Sequence, residues 1–104
     1  MVYFLYISGA DVEISFEFDE AKSRANEAKH GIGFVEAQAL WLDERLFEDP
    51  VSYVREPRSI AVGMIAGRHW TAVITYRGER IRIISVRRSR AKEVASYEED
   101  DRGE

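Results

Sequence analysis

Residues Glu79–Lys92 read ERIRIISVRRSRAK. Ile81, Ile83, Ile84 and Val86 are β-branched and suit a pleated, half-buried surface, so the segment opens as a strand. Arg80, Arg82, Arg87 and Arg88 bracket that apolar centre. Alternation along the strand puts Arg80, Arg82 and Arg88 on one side and Ser85 and Arg87 on the other. Ser89 then reads as a helix N-cap. Lys92 falls at the third helical position, where a capping box would want Glu or Gln, and Glu93 beside it favours the helix's positive end. A buried strand that ends in a run of cations is expected to be the centre of the domain and the floor of an anion-binding site.

The charge around that strand is unevenly spread. The net charge is −4. Residues 1–54 carry 4 basic and 11 acidic side chains, residues 55–92 carry 10 and 2, and residues 93–104 carry 1 and 6. A basic block inside an acidic chain makes a local positive field of the kind a polyanion meets. The 104 residues are 45% hydrophobic and 12% aromatic, which predicts a single folded domain over 1–104. No cysteine is present, which excludes disulfides, thiolate nucleophiles and cysteine-based metal sites. No apolar run approaches a membrane span. The start, MVYFLYI, lacks the basic residues of a signal peptide, so the cytoplasm is the expected compartment.

Outward from the basic strand, the rest of the chain resolves into elements. Val2 to Ile7 reads as a strand followed by a turn at 8–11. In Glu13–Phe18, Ile14, Phe16 and Phe18 alternate with Glu13, Ser15 and Glu17, which predicts a strand with one wet face. Asp19 caps a helix that ends at Lys29-His30-Gly31. Its apolar stripe is Ala21, Ala25 and Ala28, and Asn26 falls with Lys22, Arg24 and Lys29 on the exposed side. A second helix from Ile32-Gly33 has Phe34, Ala37 and Trp41 on one face. Asp49-Pro50 reads as a turn. A β-meander follows: 51–54, a bend at Glu56-Pro57-Arg58, 59–65, a hairpin at Ala66-Gly67-Arg68, 69–76, a turn at Arg77-Gly78, and the basic strand. A last helix starts near Ala91, and residues 99–104 form a frayed tail. The fold class is α+β, with helices packed on a small curved antiparallel sheet.

Two separated blocks carry a family likeness. Phe16-Glu17-Phe18-Asp19-Glu20-Ala21-Lys22, Asn26, Lys29-His30-Gly31-Ile32-Gly33-Phe34 and Glu36-Ala37 form the first. Arg80 to Arg88, with Tyr97-Glu98 beyond, forms the second. Together they resemble BrnT-like ribonuclease toxins of type II toxin–antitoxin systems, over roughly residues 14–98. Residues 1–13 fall outside the usual family start, as an N-terminal extension or a misassigned start. Phe18 stands where the family commonly has Trp, and Gly33 where Ser or Asp often caps the second helix. The resemblance implies a RelE-like fold and metal-independent endoribonuclease activity that arrests growth, with no cofactor. It also implies a ribbon-helix-helix, BrnA-like antitoxin that occludes the toxin in a hetero-oligomer and alone contacts operator DNA.

Cleaving RNA without a metal uses the 2′-OH as nucleophile. The site must take its proton, stabilise charge on the phosphorane-like transition state and protonate the leaving oxygen. Arginine suits the second task because it stays charged and forks onto phosphate oxygens. Arg58 and Arg82 are the expected phosphate clamps, with Arg87 or Arg88 as a third. His30 is the best-placed group to titrate near neutral pH, although a histidine in a helix's last turn is also explained by the helix dipole. Glu56 is the alternative base if it faces Arg58, and Lys22 or Lys29 can substitute. Lys22, Lys29, Arg80, Ser85, Arg88 and Tyr76 are the expected RNA contacts, Tyr76 by stacking. His30 and His69 have no metal-ligand spacing around them. The competing readings are a non-catalytic RNA- or ribosome-binding module, or a protein-interaction domain, on the same basic patch.

Overall fold

A computed structural model describes residues 2–7, 13–51 and 55–101, the side chains of 2–7, 13, 100 and 101 apart. The expected turn at 8–11 and the segment 52–54 lie outside the described residues. The elements are β1 Val2–Ile7, β2 Glu13–Phe18, α1 Glu20–His30, the single-turn α2 Phe34–Ala37 running into a 3-10 helix Gln38–Leu42, β3 Phe47–Val51, β4 Arg58–Ile65, β5 Arg68–Arg77, β6 Arg80–Arg88 and α3 Ala91–Asp101. The α+β class is as expected. One sheet holds six strands in the order β1-β2-β6-β5-β4-β3. The pairings are antiparallel except β2 with β6, which is parallel and joins Ser15, Phe16 and Glu17 to Arg80, Ile81 and Arg82. No helix among the described residues is long and apolar enough to cross a membrane.

The expected hairpin forms at Ala66-Gly67, where both residues have positive φ, of 51° and 81°. That two-residue loop twists in the same sense as the strands it joins. Asp49-Pro50 is not a turn. It lies within β3, the edge strand, where proline's missing N–H breaks no ladder on the outer side.

Helices cover the two faces of the sheet unequally. On the first face, Phe16, Phe18, Ala61, Trp70, Ala72, Ile74, Ile81, Ile83 and Val86 meet Ile32, Phe34, Ala37 and Leu40 in one core. Phe18 and Phe34 stack edge-to-face at 5.6 Å, and Phe16 and Trp41 at 5.1 Å. Gly33 offers α2 no side-chain cap; Ser23 Oγ of α1 accepts the Phe34 N–H instead, at 2.8 Å.

Helix α1 is built otherwise than its alanines suggest. Asp19 caps it by accepting the Lys22 N–H, and Gly31 ends it with φ 84°. Ala21, Ala25 and Ala28 are exposed, whereas Asn26 is buried. Asn26 Oδ1 accepts the Val86 N–H at 3.1 Å, and its Nδ2 donates to the carbonyls of Val86 and Ile32, both at 2.9 Å. Parallel pairing with β2 stops at Arg82, so the backbone of Val86 would otherwise lack a neighbour on that edge. One side-chain amide supplies the donor and acceptor of the missing strand.

On the second face, α3 covers only one end. Glu93 anchors it to Arg87 and Thr71, Glu98 accepts from His69 at 2.9 Å, and Tyr97 donates to Asp43 at 2.7 Å. Ser89 is not the cap that its position suggests, because its hydroxyl meets Thr71 at 2.7 Å. The helix begins at Ala91, so Arg90 takes the cap position and Glu93 the third helical one. Glu93 Oε1 accepts the Arg90 N–H at 2.8 Å, which is the returning half of a capping box shifted by one residue.

Candidate active site

The end of the second face that α3 leaves open carries the cations. A β-bulge decides which ones. Pairing along β5 and β6 shifts between Val73 and Ile74, so Ser85 faces Val73, Ile83 faces Ile74, and Ile84 is the extra residue. One unmatched residue reverses the alternation beyond it. Arg80, Arg82, Ser85 and Arg87 therefore share the second face, and Arg88 falls on the first, beside Trp70. The uninterrupted alternation expected of this strand is corrected accordingly.

At the centre of the open end is Glu17. Its place in β2 predicts a wet side chain, yet it is only 3% exposed. The parallel register sets it beside Arg82, whose Nη1 donates to Glu17 Oε2 at 3.1 Å. Arg77 Nη1 stands 3.8 Å from the same oxygen, and Arg80 Nη1 3.8 Å from Oε1. Arg77 and Arg80 are cross-strand partners at the end of the β5–β6 hairpin, which places them together. Three guanidinium groups thus converge on one buried carboxylate.

Beside them opens a cleft of about 160 Å³, lined by Asp19, Lys22, Glu56, Arg58, Arg77, Arg82, Ile83 and Ile84. The bend before β4 delivers Glu56 and Arg58 to it, and Thr75 Oγ1 holds that bend by donating to the Pro57 carbonyl at 2.6 Å. Glu56 Oε2 lies 3.8 Å from Arg77 Nε. Asp19 is held below the usual carboxylate range by the Lys22 N–H that it caps. Counting Arg80, the cations Lys22, Arg58, Arg77, Arg80 and Arg82 outnumber the carboxylates Asp19, Glu17 and Glu56.

A second, shallower groove of about 310 Å³ runs between α1 and the bulge, lined by Lys22, Ala25, Asn26, Lys29, His30, Ile84 and Ser85. Lys22 and Ile84 border both. The structure therefore gathers Arg58, Arg82, Glu56 and Lys22 in one cleft, and Lys22, Lys29, His30 and Ser85 in the next.

Three expected residues stand elsewhere. Arg87 forks onto Glu93 with two bonds of 2.8 Å beneath α3. That pairing holds Glu93 down at about 2, helped by the Arg90 N–H and Thr71 against the cost of burial, and raises Arg87 further. Arg88 packs its guanidinium 5.5 Å over the Trp70 ring. Tyr76 lies on the first face, where its hydroxyl donates to Glu48 at 2.7 Å; burial, with that bond, pushes the phenol up. Arg77 and Glu17 are the site residues that sequence reasoning missed. The signal available was the meeting of an acid in β2 with the cation run, and it needed the strand pairing to be read.

A family model described as the ribonuclease toxin BrnT of type II toxin–antitoxin systems matches residues 18–93. No curated protein matches the chain.

Proposed function

The chain belongs to the BrnT family of ribonuclease toxins of type II toxin–antitoxin systems, and on that footing we propose that its arginine cleft cuts RNA without a metal, by internal attack of a ribose 2′-OH. The observation that carries this reading is a cleft lined by Arg58, Arg77, Arg82 and Lys22 together with the partly exposed carboxylate of Glu56, with Arg80 beside it on Glu17. Fixed cations at the place where phosphate charge develops are the largest single source of catalysis in such sites.

Arg58 and Arg82 clamp the non-bridging oxygens of the scissile phosphate. Glu56 takes the 2′-OH proton as the 2′-oxygen bonds to phosphorus. The bond to the 5′-oxygen then breaks, and that oxygen takes a proton from the cationic wall, where Lys22 stands between the cleft and the groove of His30. The products are a 2′,3′-cyclic phosphate and a 5′-hydroxyl. The flanking nucleotides follow Lys29 and Ser85 along the second groove. A type II toxin has a protein antitoxin; in this reading it is a ribbon-helix-helix protein, as the sequence resemblance implies, that covers the cleft and alone binds operator DNA.

The test uses purified protein, end-labelled RNA and excess EDTA. Cleavage that leaves a cyclic phosphate, and that stops when the residue 5′ of the cut is a 2′-deoxynucleotide, is the expected result. Cutting through the deoxy position, or dependence on a divalent ion, overturns the mechanism. RNA binding by the folded protein with no cleavage replaces it with the binding-module reading.

A further inference from the structure

We propose that Glu17 is a positioning residue, whose carboxylate sets the spacing and aim of Arg77, Arg80 and Arg82 toward the bound phosphodiester. The inference rests on the ribonuclease reading above and adds to it a residue with no reacting atom. Four observations support it.

Burial comes first. Glu17 is 3% exposed on the face of β2 where alternation predicts solvent. A buried carboxylate persists only where donors compensate its lost water. Stoichiometry comes second. Three guanidinium groups face Glu17, and Arg77 also reaches Glu56 at 3.8 Å, so the Glu17 carboxylate is the one point that all three share. Distance comes third. Only Arg82 is within hydrogen-bond reach, at 3.1 Å; Arg77 and Arg80 stand at 3.8 Å, drawn toward Glu17 while their side chains stay half exposed. Rigidity comes last. Glu17 sits in a strand paired on both sides, with Tyr3 in β1 and Arg82 in β6. Removing the carboxylate would leave three like charges to splay apart.

A fixed negative charge beside a phosphate also weakens anion binding. Glu17 therefore trades affinity for alignment, and alignment acts on the transition state more than on the ground state. This gives a signature that loss of structure would not produce. In RNA cleavage kinetics, Glu17→Gln is expected to lower kcat about 30- to 100-fold with KM unchanged or lower. Adding Glu17→Gln to Arg82→Ala is expected to lower kcat further by less than it does in the wild type, because one of the three groups that Glu17 aims is already gone.

Calorimetric titration with inorganic pyrophosphate is the second arm, with Glu17→Gln expected to bind several-fold tighter than wild type. Native kcat in a folded Glu17→Gln, a raised KM at native kcat, or pyrophosphate binding that does not tighten overturns the proposal. If Glu17→Gln does not fold, Glu17→Asp withdraws the charge by one methylene; reduced kcat at native KM supports the proposal, and native kcat overturns it. If the wild type cuts no RNA, the ribonuclease reading fails, and the pyrophosphate arm still decides the role of Glu17.

Discussion

At one end of the sheet's second face Arg87 and Glu93 form a closed pair beneath α3; at the other, Arg77, Arg80 and Arg82 share the one carboxylate of Glu17. Both clusters draw on the same basic strand. The first is local in sequence and matched one to one. Its fork is satisfied by two short bonds, and Glu93 also ties down Thr71 and the helix start. The second joins strands 65 residues apart in sequence and gathers three arginines around one buried carboxylate. Balanced charge under a helix fastens the helix. Arginines gathered on the part of the face that α3 leaves open line a cleft that a ligand can enter. The same residue type in the same strand thus serves two ends, and the partner decides which.

Arg82→Ala carries the largest expected effect. It removes the best-held cation of the open cluster, and loss of one such stabilising group costs on the order of 100- to 1000-fold in kcat. Cleavage kinetics on a variant with native circular dichroism would show it. A drop confined to melting temperature would erase the contrast between the clusters.

Asn26 lies between the clusters and holds the strand that feeds both. Asn26→Ala leaves a backbone donor and acceptor of Val86 without their partner, and the expected loss of folding stability is about 3 kcal/mol, read by urea denaturation. A loss below about 1 kcal/mol would show that water replaces the amide readily.

Glu93→Gln tests the closed pair. It is expected to lower stability by about 2 kcal/mol at neutral pH while cleavage per folded molecule stays native. The pH dependence sharpens this. The carboxyl of Glu93 falls from 4.5 to about 2 in the folded protein. A depressed folded value contributes stability fully above the unfolded value and loses it as pH falls through the folded one. The gap between wild type and Glu93→Gln should therefore be constant above about pH 4.5 and close as pH approaches 2. A gap that stays open at pH 2, or a Glu93→Gln protein that loses cleavage, would move this pair into the site.

Tyr97→Phe is the smallest change. It removes the bond to Asp43 that pins the middle of α3, at an expected cost of about 1 kcal/mol in thermal or chemical denaturation. Cleavage should not change. A change would mean that the seating of α3 reaches the cleft.

Most of the fold was legible because it is written in local pattern. Alternation marked β2; Asp19 and Gly31 bracketed α1; Ala66-Gly67 announced its hairpin. The failures were not local. Pro50 reads as a turn until β3 is known to be an edge. Asn26 reads as a surface residue until a strand edge is found beside it. Ser89 reads as a cap because its better offer, Thr71, is 18 residues back in the sequence.

For the site, the sequence by itself determined the inventory: the cation-rich block from 55 to 92, the β-branched strand through it, and the residue types that can meet a phosphate. Arg58, Arg82, Glu56 and Lys22 were within its reach and share one cleft. Only the tertiary structure decided the sorting. The bulge at Ile84 moved Arg88 to the other face and brought Arg87 to the same face as Arg82. The parallel register of β2 on β6 carried Glu17 under three arginines. Side-chain alternation has a period of two, so one unmatched residue reverses it, and no local preference records which distant strand comes alongside.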